Sequence, residues 1–536
     1  MHILPSRILA AICCLMLLVL TSCMRVTTGT KHSCAILSNG SVKCWGYNAN
    51  GELGLGDTKT RGTEGKEMGS NLPVIDLGIN TDNTKYTAYW LSAGDSHTCA
   101  ILSDDSLKCW GKNDKGQLGL GDQLSRGDAS NEMGNYLPKV NLGVGKTAKY
   151  VSAGVSHTCA ILNDDTLKCW GDNTSGKLGN GNEIALLAPS ASIISFDNEH
   201  TVLAVSAGIS HTCAILDDHS VRCWGNNASG QLGMGNSTPL NAPSASAVSL
   251  GIGRSAFQIS SRGDYSCVIL DDGSAKCWGN NSVGQLGQND EKSTLPSIGT
   301  SPDQMGDNLP AIVIGTGRTA IEITTANYAG NTCVILDDRT VKCWGTNTYF
   351  QLGTGTIFNS NKGDDAGEIA GLSPVQLGTG LGVEQISFGA AHVCVVLGEY
   401  TIKCWGWGQS GQLGNGSGIN RGSSLMGDDL PAANLSEPLA LTATAATRTP
   451  TRSLTRTASL TKTITKTPTQ SNTPTSTKTR TVTKTRTLSR TATATRTSSN
   501  TRTLTKTRTS SNTRTLTKTR TSTRTRTATP TITPTH

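Results

Sequence analysis

The sequence His32-Ser-Cys-Ala-Ile-Leu-Ser-Asn-Gly-Ser-Val-Lys-Cys-Trp-Gly46 decides the fold, because its pattern returns seven times along the chain of 536 residues. In every copy two cysteines lie ten positions apart, and the second one begins a Cys-Trp-Gly triplet. The distance between successive first cysteines varies from 54 to 66 residues, whereas the spacing within a pair is constant. Constant units joined by variable segments are typical of an array or a propeller. The pairs are Cys34 and Cys44, Cys99 and Cys109, Cys159 and Cys169, Cys213 and Cys223, Cys267 and Cys277, Cys333 and Cys343, and Cys394 and Cys404.

Each copy predicts a β-hairpin with a loop of three residues, such as Ser38-Asn39-Gly40 between two β-prone runs. If Leu37 and Ser41 form the closing hydrogen-bonded pair, Cys34 and Cys44 form a non-hydrogen-bonded pair. Such pairs hold their Cα atoms roughly 4.5 Å apart, which a disulfide accepts. The constant spacing therefore predicts a cross-strand disulfide in every hairpin.

The third loop residue requires a left-handed backbone, which glycine adopts without strain. Gly40 and Gly273 meet this requirement, and the other copies do not. We therefore expect the loop type to differ between copies. The less suitable residues are Asp105, Asp165, His219, Arg339 and Tyr400.

Both faces of the hairpin are apolar, with Cys34 and Ile36 on one face and Ala35 and Leu37 on the other. A propeller blade packs between two neighbours and needs two buried faces. A short strand precedes each hairpin, and a further run such as Leu72-Pro-Val-Ile-Asp-Leu-Gly78 follows it in most copies. The sequence therefore predicts an all-β fold, a seven-bladed β-propeller with four strands per blade.

The repeat resembles that of the regulator-of-chromosome-condensation family, which folds as a seven-bladed propeller. The residues that carry the resemblance are Ala93-Gly-Asp-Ser-His-Thr-Cys-Ala-Ile-Leu102 and Cys109-Trp-Gly-Lys-Asn-Asp-Lys-Gly-Gln-Leu-Gly119. It covers roughly residues 25–436. Tyr265 and Asn331 replace the repeat histidine in copies five and six, and the paired cysteines are absent from the family's nuclear and cytosolic members.

The N-terminal residues 1–22 are interpreted as a signal peptide, since Arg7 precedes an apolar stretch too short to span a bilayer comfortably. The stretch ends in Leu20-Thr-Ser-Cys23, which resembles a bacterial lipobox and predicts lipidation of Cys23. Ordinary cleavage near the same place is the alternative. Without Cys13, Cys14 and Cys23, fourteen of the 17 cysteines remain, which is seven pairs. An even set behind a signal peptide indicates an oxidising compartment.

The propeller is assigned to residues 24–441, and residues 442–536 form a Thr-rich basic tail that we predict to be disordered. The tail holds 19 of the 47 Lys and Arg and no acid, so residues 1–441 carry 28 bases against 39 acids. Its Ser and Thr alternate with other residues, which leaves no apolar face. An O-glycosylated spacer, a contact to polyanions and a solvated linker remain open for it. Specific nucleic-acid binding is not expected, because the tail has no aromatic residue for base stacking.

The repeated tryptophans and histidines are interpreted as structural. The seven Cys-Trp-Gly tryptophans pack the blades, and the histidines make hydrogen bonds. A plant UV-B photoreceptor of the family senses light with clustered tryptophans, but its Gly-Trp-Arg-His-Thr motif is missing from this sequence. Equivalent histidines of different blades lie far apart, so they cannot share a metal. Ten-residue cysteine spacing is not that of a zinc finger.

We find no nucleophile–base motif, so no catalytic residue, metal or cofactor is predicted and the chain is not expected to be an enzyme. Gly143-Val-Gly-Lys-Thr147 fails as a phosphate loop, because Val140 stands where the first glycine is needed. The recurring insertions, Arg61 to Gly69 and Arg126 to Gly134, are either structural loops or binding loops.

The expected function is therefore that of an extracytoplasmic, membrane-anchored protein-binding propeller, a recognition or inhibitor scaffold for a protein or another cell-surface macromolecule. Secreted relatives that cap bacterial β-lactamases show what such a surface does. The founding activity of the family, guanine-nucleotide exchange on a small GTPase, is the alternative. A polysaccharide-acting enzyme is a second alternative, and it predicts clustered carboxylates at one end of the propeller.

Overall fold

Seven small antiparallel sheets, one from each copy of the repeat, form the propeller. A computed structural model describes residues 26–197, 200–288, 295–355, 360–380, 382–398, 401–435, 505–508 and 514–517. The strands of blades one to three are β1 (Val26–Thr28), β2 (His32–Ile36), β3 (Val42–Gly46), β4 (Ala88–Ala93), β5 (His97–Leu102), β6 (Leu107–Gly111), β7 (Ala148–Ala153), β8 (His157–Leu162) and β9 (Leu167–Gly171).

The later blades repeat this order of one inner strand followed by a hairpin. Their strands are β10 (Val202–Ala207), β11 (His211–Leu216), β12 (Val221–Gly225), β13 (Ala256–Ser260), β14 (Tyr265–Leu270), β15 (Ala275–Asn280), β16 (Ser297–Ile298), β17 (Ala320–Thr325), β18 (Asn331–Leu336), β19 (Val341–Gly345), β20 (Val383–Phe388), β21 (His392–Leu397) and β22 (Thr401–Gly406). Each inner strand contacts the next one, and β20 contacts β1, which closes the ring. The predicted seven-bladed β-propeller is confirmed.

The hairpin register is the one that the cysteine spacing predicts. In blade one Cys34 pairs with Cys44, and the Leu37 amide donates to the Ser41 carbonyl at 2.8 Å. The two cysteines lie opposite each other in the same way in each of the other six hairpins. The three-residue loop and the ten-residue spacing therefore place every cysteine of the seven pairs as expected.

A disulfide closes every hairpin, with Cα–Cα distances of 4.0 to 4.2 Å. The bridges are buried, because their cysteines lie on hairpins whose two faces are covered by neighbouring blades. They join Cys34 to Cys44, Cys99 to Cys109, Cys159 to Cys169, Cys213 to Cys223, Cys267 to Cys277, Cys333 to Cys343 and Cys394 to Cys404.

The expected variation in loop type is wrong for the six copies whose loop is described. The third loop residue is left-handed in all of them, at Asp105, His219 and Arg339 as well as at Gly40 and Gly273. Local hydrogen bonds offset the strain: the Asp105 amide donates to the Leu102 carbonyl, and Asp104 Oδ1 accepts from the Ser106 amide. Tyr400 lies outside the described residues.

The predicted fourth strand, which is the run Leu72–Gly78 in blade one, is wrong, because no blade forms it among the described residues. The short β16 of blade five lies at a different place, since its Ile298 pairs with Gly279 as Arg61 pairs with Gly46 in blade one. Elsewhere the outer segment makes single contacts to the hairpin, such as the bridge between Gly46 and Arg61 and the hydrogen bond from Ile75 N to Val42 O. Pro73 cannot donate to a ladder, and a 3₁₀ turn at Gly69–Asn71 precedes it. The outer segment therefore contacts the hairpin at single points and forms no ladder with it in blade one.

The two ends of the propeller lie in different, adjacent blades. β1 belongs to blade one, whereas Ala432 and Ala433 pair with the hairpin of blade seven. The ring is therefore closed by non-covalent contacts between blades seven and one. Among them, the Thr28 amide donates to Ser387 Oγ at 3.1 Å.

The remaining predicted segments are mostly outside the described residues. This holds for the signal peptide at 1–22, for Cys23 and for nearly all of the tail. The chain divides into two units at Thr444, and in the second unit β23 (Thr505–Arg508) pairs with β24 (Arg514–Thr517) as an antiparallel ladder. Within the part of the chain that the structure describes, no helix is long and apolar enough to cross a bilayer.

Candidate binding face

Neighbouring blades are joined by a repeated hydrogen-bond relay that uses the predicted histidines and tryptophans. Between blades two and three, His97 Nε2 lies 2.9 Å from Thr158 Oγ1, and this hydroxyl donates to the Gln117 carbonyl. The same carbonyl accepts from Trp170 Nε1 at 3.1 Å. Because the hydroxyl proton is committed to the carbonyl, Nε2 carries the proton that the histidine donates. The repeat glycine is part of the arrangement, since a Cβ on Gly119 would lie 2.6 Å from Trp170 Nε1.

The departures from the repeat are coupled across one interface. Blade seven carries Val393 where other blades carry Thr or Ser, and blade six, its neighbour, carries Asn331 in place of histidine. Asn331 donates instead to the Trp344 and Thr346 carbonyls of its own blade. A histidine facing Val393 would lack its acceptor, so the two replacements explain each other. The histidines and tryptophans are therefore structural, as predicted.

Burial keeps the relay histidines neutral, which makes the propeller sensitive to acid. Desolvation lowers the pKa of His97 and of His211 to about 4, and that of His32 and of His392 to about 3. The pKa of His157 is also held well below its usual value by burial. All five are essentially inaccessible to solvent.

We predict that the free energy of unfolding falls as the pH drops from 6.5 to about 4. In that window the histidines of the unfolded chain bind protons, whereas those of the folded protein do not. Each histidine therefore lowers the free energy of unfolding by roughly 1 kcal/mol for every pH unit of acidification. Half-buried Glu322, whose pKa is raised to about 8 by desolvation, opposes this with a single group that favours folding at lower pH. Urea unfolding at pH 7, 6 and 5 measures the slope. His157→Asn, which installs the residue of blade six, is expected to reduce the proton uptake by about one, and a flat profile would contradict the assignment.

The recurring insertions are structural loops. Arg61 pairs with Asp57 at 2.7 Å, and Glu67 Oε2 accepts the amides of Gly62 and Thr63. The hairpin lysine holds the end of the loop, since buried Lys43 Nζ donates to the Gly69 carbonyl at 2.9 Å. Their recurrence therefore follows from shared backbone contacts rather than from recognition.

The carboxylates of the hairpin turns lie at one end of the propeller, as the enzyme alternative requires, but most of them are paired with bases, and Asp105 Oδ1 accepts from the Tyr89 hydroxyl at 2.9 Å. Lys139 pairs with Asp104, and Arg254 pairs with Asp272 at 2.8 Å. His200, Asp217 and Asp218 lie within metal-ligand distance of one another on the exposed surface, and the His200–Asp217 contact of 2.8 Å accounts for their proximity.

At the opposite end, two loops of each blade converge at positions that the repeat does not fix. The residue after Cys-Trp-Gly donates its amide to a carbonyl in the loop before the relay histidine, as Tyr47 does to Lys31 at 2.9 Å. The side chains at this position differ in every blade except two. They are Tyr47, Lys112, Asp172, Asn226, Asn280, Thr346 and Trp407. Variable side chains on fixed backbone are the arrangement of a recognition surface.

Aromatic side chains cluster at this end where blades six, seven and one meet. Trp407 stacks on Tyr349 with ring centroids 5.5 Å apart, and Lys31 Nζ lies 5.1 Å from the Trp407 ring and 5.5 Å from the Tyr47 ring. Tyr328 is 54% exposed and lies beside Tyr349 along the rim of a cleft. We call Lys31, Tyr47, Tyr328, Tyr349 and Trp407 the aromatic face. Exposed aromatic residues of this kind anchor most protein interfaces.

The channel mouth beneath this face is crossed by Arg262 of blade five. Its guanidinium donates to the carbonyls of Thr28, Ala93 and Phe388 at 2.9, 2.7 and 3.1 Å, and its Nε donates to Asn327 Oδ1 at 3.3 Å. One side chain therefore links blade five to blades one, two, six and seven. Burial lowers the pKa of Arg262 to about 10, so it stays charged at neutral pH.

Sequence reasoning missed the aromatic face and Arg262, because neither belongs to the repeat. A comparison of the copies position by position carries the signal. The residue after Cys-Trp-Gly is aromatic only in the first and last copies, and Arg262 replaces the small residue found at the same place in the other copies.

Comparison with known proteins agrees with this geometry. A family model described as the RCC1-like domain matches residues 76–432, and one described as the Regulator of chromosome condensation (RCC1) repeat matches residues 25–52. The chain is 27% identical to the Ultraviolet-B receptor UVR8 of Arabidopsis thaliana over 74% of this chain and 79% of the receptor. It is 30% identical to the Probable E3 ubiquitin-protein ligase HERC6 of Homo sapiens over 39% of this chain and 19% of that protein.

Two solved structures share the fold. Yeast RCC1 (Prp20), solved with Kap60 bound, superposes with a TM-score of 0.55 at 16% identity over 77% of this chain and 86% of that chain. Human WBSCR16 gives a TM-score of 0.51 at 20% identity over 70% and 91% of the two chains. At these identities the likeness concerns the fold alone.

Proposed function

Because the chain belongs to the family of the RCC1-like domain, we propose that it is a protein-binding module that engages its partner through the aromatic face. The observation that carries this proposal is the cluster of Tyr47, Tyr349 and Trp407 around Lys31, at the end of the ring where the repeat leaves side chains free to vary. The family supplies a scaffold of protein-binding propellers, and this face supplies the anchors.

The aromatic face has the composition of an interface core. Trp407 Nε1 is buried and has no hydrogen-bond partner within the described residues, so it offers a donor to an incoming carbonyl. Tyr349 is 37% exposed although it stacks on Trp407, which keeps its ring rigid before binding. Rigid aromatic side chains lose little conformational entropy when they are covered.

We propose that the module lies in an oxidising, extracytoplasmic compartment and that it is attached to a membrane through Cys23. The seven disulfides support the compartment, because such bridges are rare where thiols are kept reduced. A lipid on Cys23 would attach the chain to a bilayer without a spanning segment. We also propose that the basic tail contacts polyanions in this compartment.

The two alternatives have weaker support. Guanine-nucleotide exchange draws on the likeness to RCC1 structures, which at 16% identity concerns the fold alone. A polysaccharide-acting enzyme needs free carboxylates, whereas those of the turns, such as Asp104 and Asp272, are paired with bases. We therefore propose a binding module without catalytic activity.

We predict that Trp407→Ala and Tyr349→Ser each weaken partner binding at least 30-fold, because truncating a central aromatic anchor costs about 2 kcal/mol or more. The measurement is affinity capture of surface proteins from the native source, followed by titration of the recovered partner. Tyr136→Ser is the matched control, since Tyr136 is 69% exposed on the perimeter beside Pro73 and Val74. Equal binding by the face variants and the control would contradict the proposal.

A further inference from the structure

A cleft of about 420 Å³ opens on the aromatic face between blades five and six. Its walls include Asp264, Asn327, Tyr328 and Tyr349, together with neutral polar side chains such as Gln285. The volume is in the range of sites that hold small molecules. The described residues that line it include no lysine or arginine, so Asp264 gives the cleft its only formal charge.

A buried donor at the wall of the cleft has no partner. Asn327 is 2% exposed, and its Oδ1 accepts from Arg262 Nε at 3.3 Å. Because a guanidinium nitrogen can only donate, this contact fixes the amide orientation and leaves Nδ2 as the free end. Within the described residues Nδ2 makes no hydrogen bond. An unpaired buried N–H is destabilising, so the position favours a ligand that brings an acceptor.

Asp264 also lines the cleft and offers an acceptor, whereas Asn327 offers a donor. Asp264 Oδ1 accepts from Ser210 Oγ at 2.8 Å, and a carboxylate has capacity for further donors. Tyr349 presents a ring that is held from behind by Trp407, and Tyr328 exposes half of its side chain. A ligand that fits must therefore accept from Asn327, donate to Asp264 and cover a flat ring.

These requirements select a class of ligand. An anionic group would face the Asp264 carboxylate without a compensating base. A lysine or arginine side chain would satisfy Asp264 but would leave Asn327 Nδ2 unpaired, because cationic groups carry no acceptor. A sugar has hydroxyls that both donate and accept, and its C–H face packs on aromatic rings. We propose that this cleft binds a neutral saccharide, with a sugar ring on Tyr349, a hydroxyl donating to Asp264 and an oxygen accepting from Asn327.

The test is titration of the purified full chain with maltotriose, cellotriose and chitotriose, followed by saturation-transfer NMR and intrinsic fluorescence. At least one trisaccharide is expected to bind with a dissociation constant of about 1 mM or lower, the range of a shallow polar site, so the titration extends to about 10 mM. Binding should be insensitive to salt, because no ion pair forms with the ligand.

Asn327→Asp is the decisive variant. It keeps the acceptor that Arg262 uses and removes the donor, so the fold is expected to survive while saccharide affinity falls at least tenfold. Asp264→Asn and Tyr349→Ala are expected to have similar effects. Asp104→Asn, at the other end of the propeller, is the control and should bind normally.

Three outcomes would overturn the proposal: no trisaccharide binds, binding is unchanged in Asn327→Asp and Asp264→Asn, or the cleft prefers a basic peptide. The last is measured with the probe acetyl-Gly-Arg-Gly-Lys-Gly-amide, whose binding would depend on Asp264 and weaken with salt. The saccharide result can be distinguished from the protein-binding function through Asn327 and Asp264, which line the cleft and do not belong to the aromatic face, whereas Tyr349 is shared by both.

Discussion

Reduction of the seven disulfides is expected to lower the apparent melting temperature of the propeller by about 15–25 °C. The two cysteines of each bridge are ten positions apart in the sequence. For a loop of this length, the loop-entropy model gives a stabilisation on the order of 2–3 kcal/mol per bridge. Seven such terms together exceed the net stability of a typical domain. The shift per kcal/mol is small in a propeller of about 400 residues, because the unfolding entropy grows with chain length.

The buried position of the bridges determines how the experiment is done. The cysteines of every pair are shielded from solvent, so reductant must be added to unfolded protein before refolding is attempted. Melting curves of oxidised and reduced samples then give the shift, and intact mass reports a gain of fourteen hydrogens. Protein from its native source should show the same gain, together with loss of residues 1–22 and a lipid mass on Cys23 if the anchor is present.

A single bridge provides a sharper test. If Cys99 and Cys109 are bridged, Cys99→Ala, Cys109→Ala and the double variant should lose similar stability, about 2–3 kcal/mol, because each change removes the same bond. Free thiols would instead give additive costs. Equal melting of oxidised and reduced protein would contradict the role of the disulfides.

The repeat itself could be predicted from sequence because its constraints are local. A loop of three residues and a side-chain period of two are enough to place Cys34 opposite Cys44. Two other expectations were wrong, although the contacts that decide them are also local. The left-handed Arg339 is held by its hairpin hydrogen bonds, and the outer segment lost its strand because Pro73 and the preceding turn interrupt the ladder.

The candidate site could not be predicted from sequence, because ring closure assembles it. Tyr47 and Trp407 lie at opposite ends of the propeller sequence, and they approach the same lysine only after blade seven meets blade one. The free donor of Asn327 depends on Arg262, which comes from another blade. Such positions are difficult to recognise in the sequence, because they lie where the seven copies differ and not where they agree.

Arg262→Met is expected to destabilise the propeller by about 3–5 kcal/mol, because it removes hydrogen bonds to three carbonyls on the channel wall. Thr28, Ala93 and Phe388 end the inner strands of blades one, two and seven. A hydrogen bond from a charged donor contributes roughly 1.5–3 kcal/mol, and access of water to the channel mouth reduces the total. Arg262→Lys is expected to recover little, because an ammonium group lacks the planar fork that reaches several carbonyls at once.

The location of Arg262 makes the loss selective for ring closure. No strand is shared between blades seven and one within the described residues, so their interface depends on contacts such as Thr28 N to Ser387 Oγ, and Arg262 bonds to the carbonyls of both blades. Urea unfolding measures the total loss, and hydrogen exchange of β1 and β20 should accelerate more than that of β7. Arg254→Met is the matched control: Arg254 forms an exposed pair with Asp272, and such pairs contribute about 0–1 kcal/mol. Equal stability of Arg262→Met and Arg254→Met would show that the closure does not depend on this arginine.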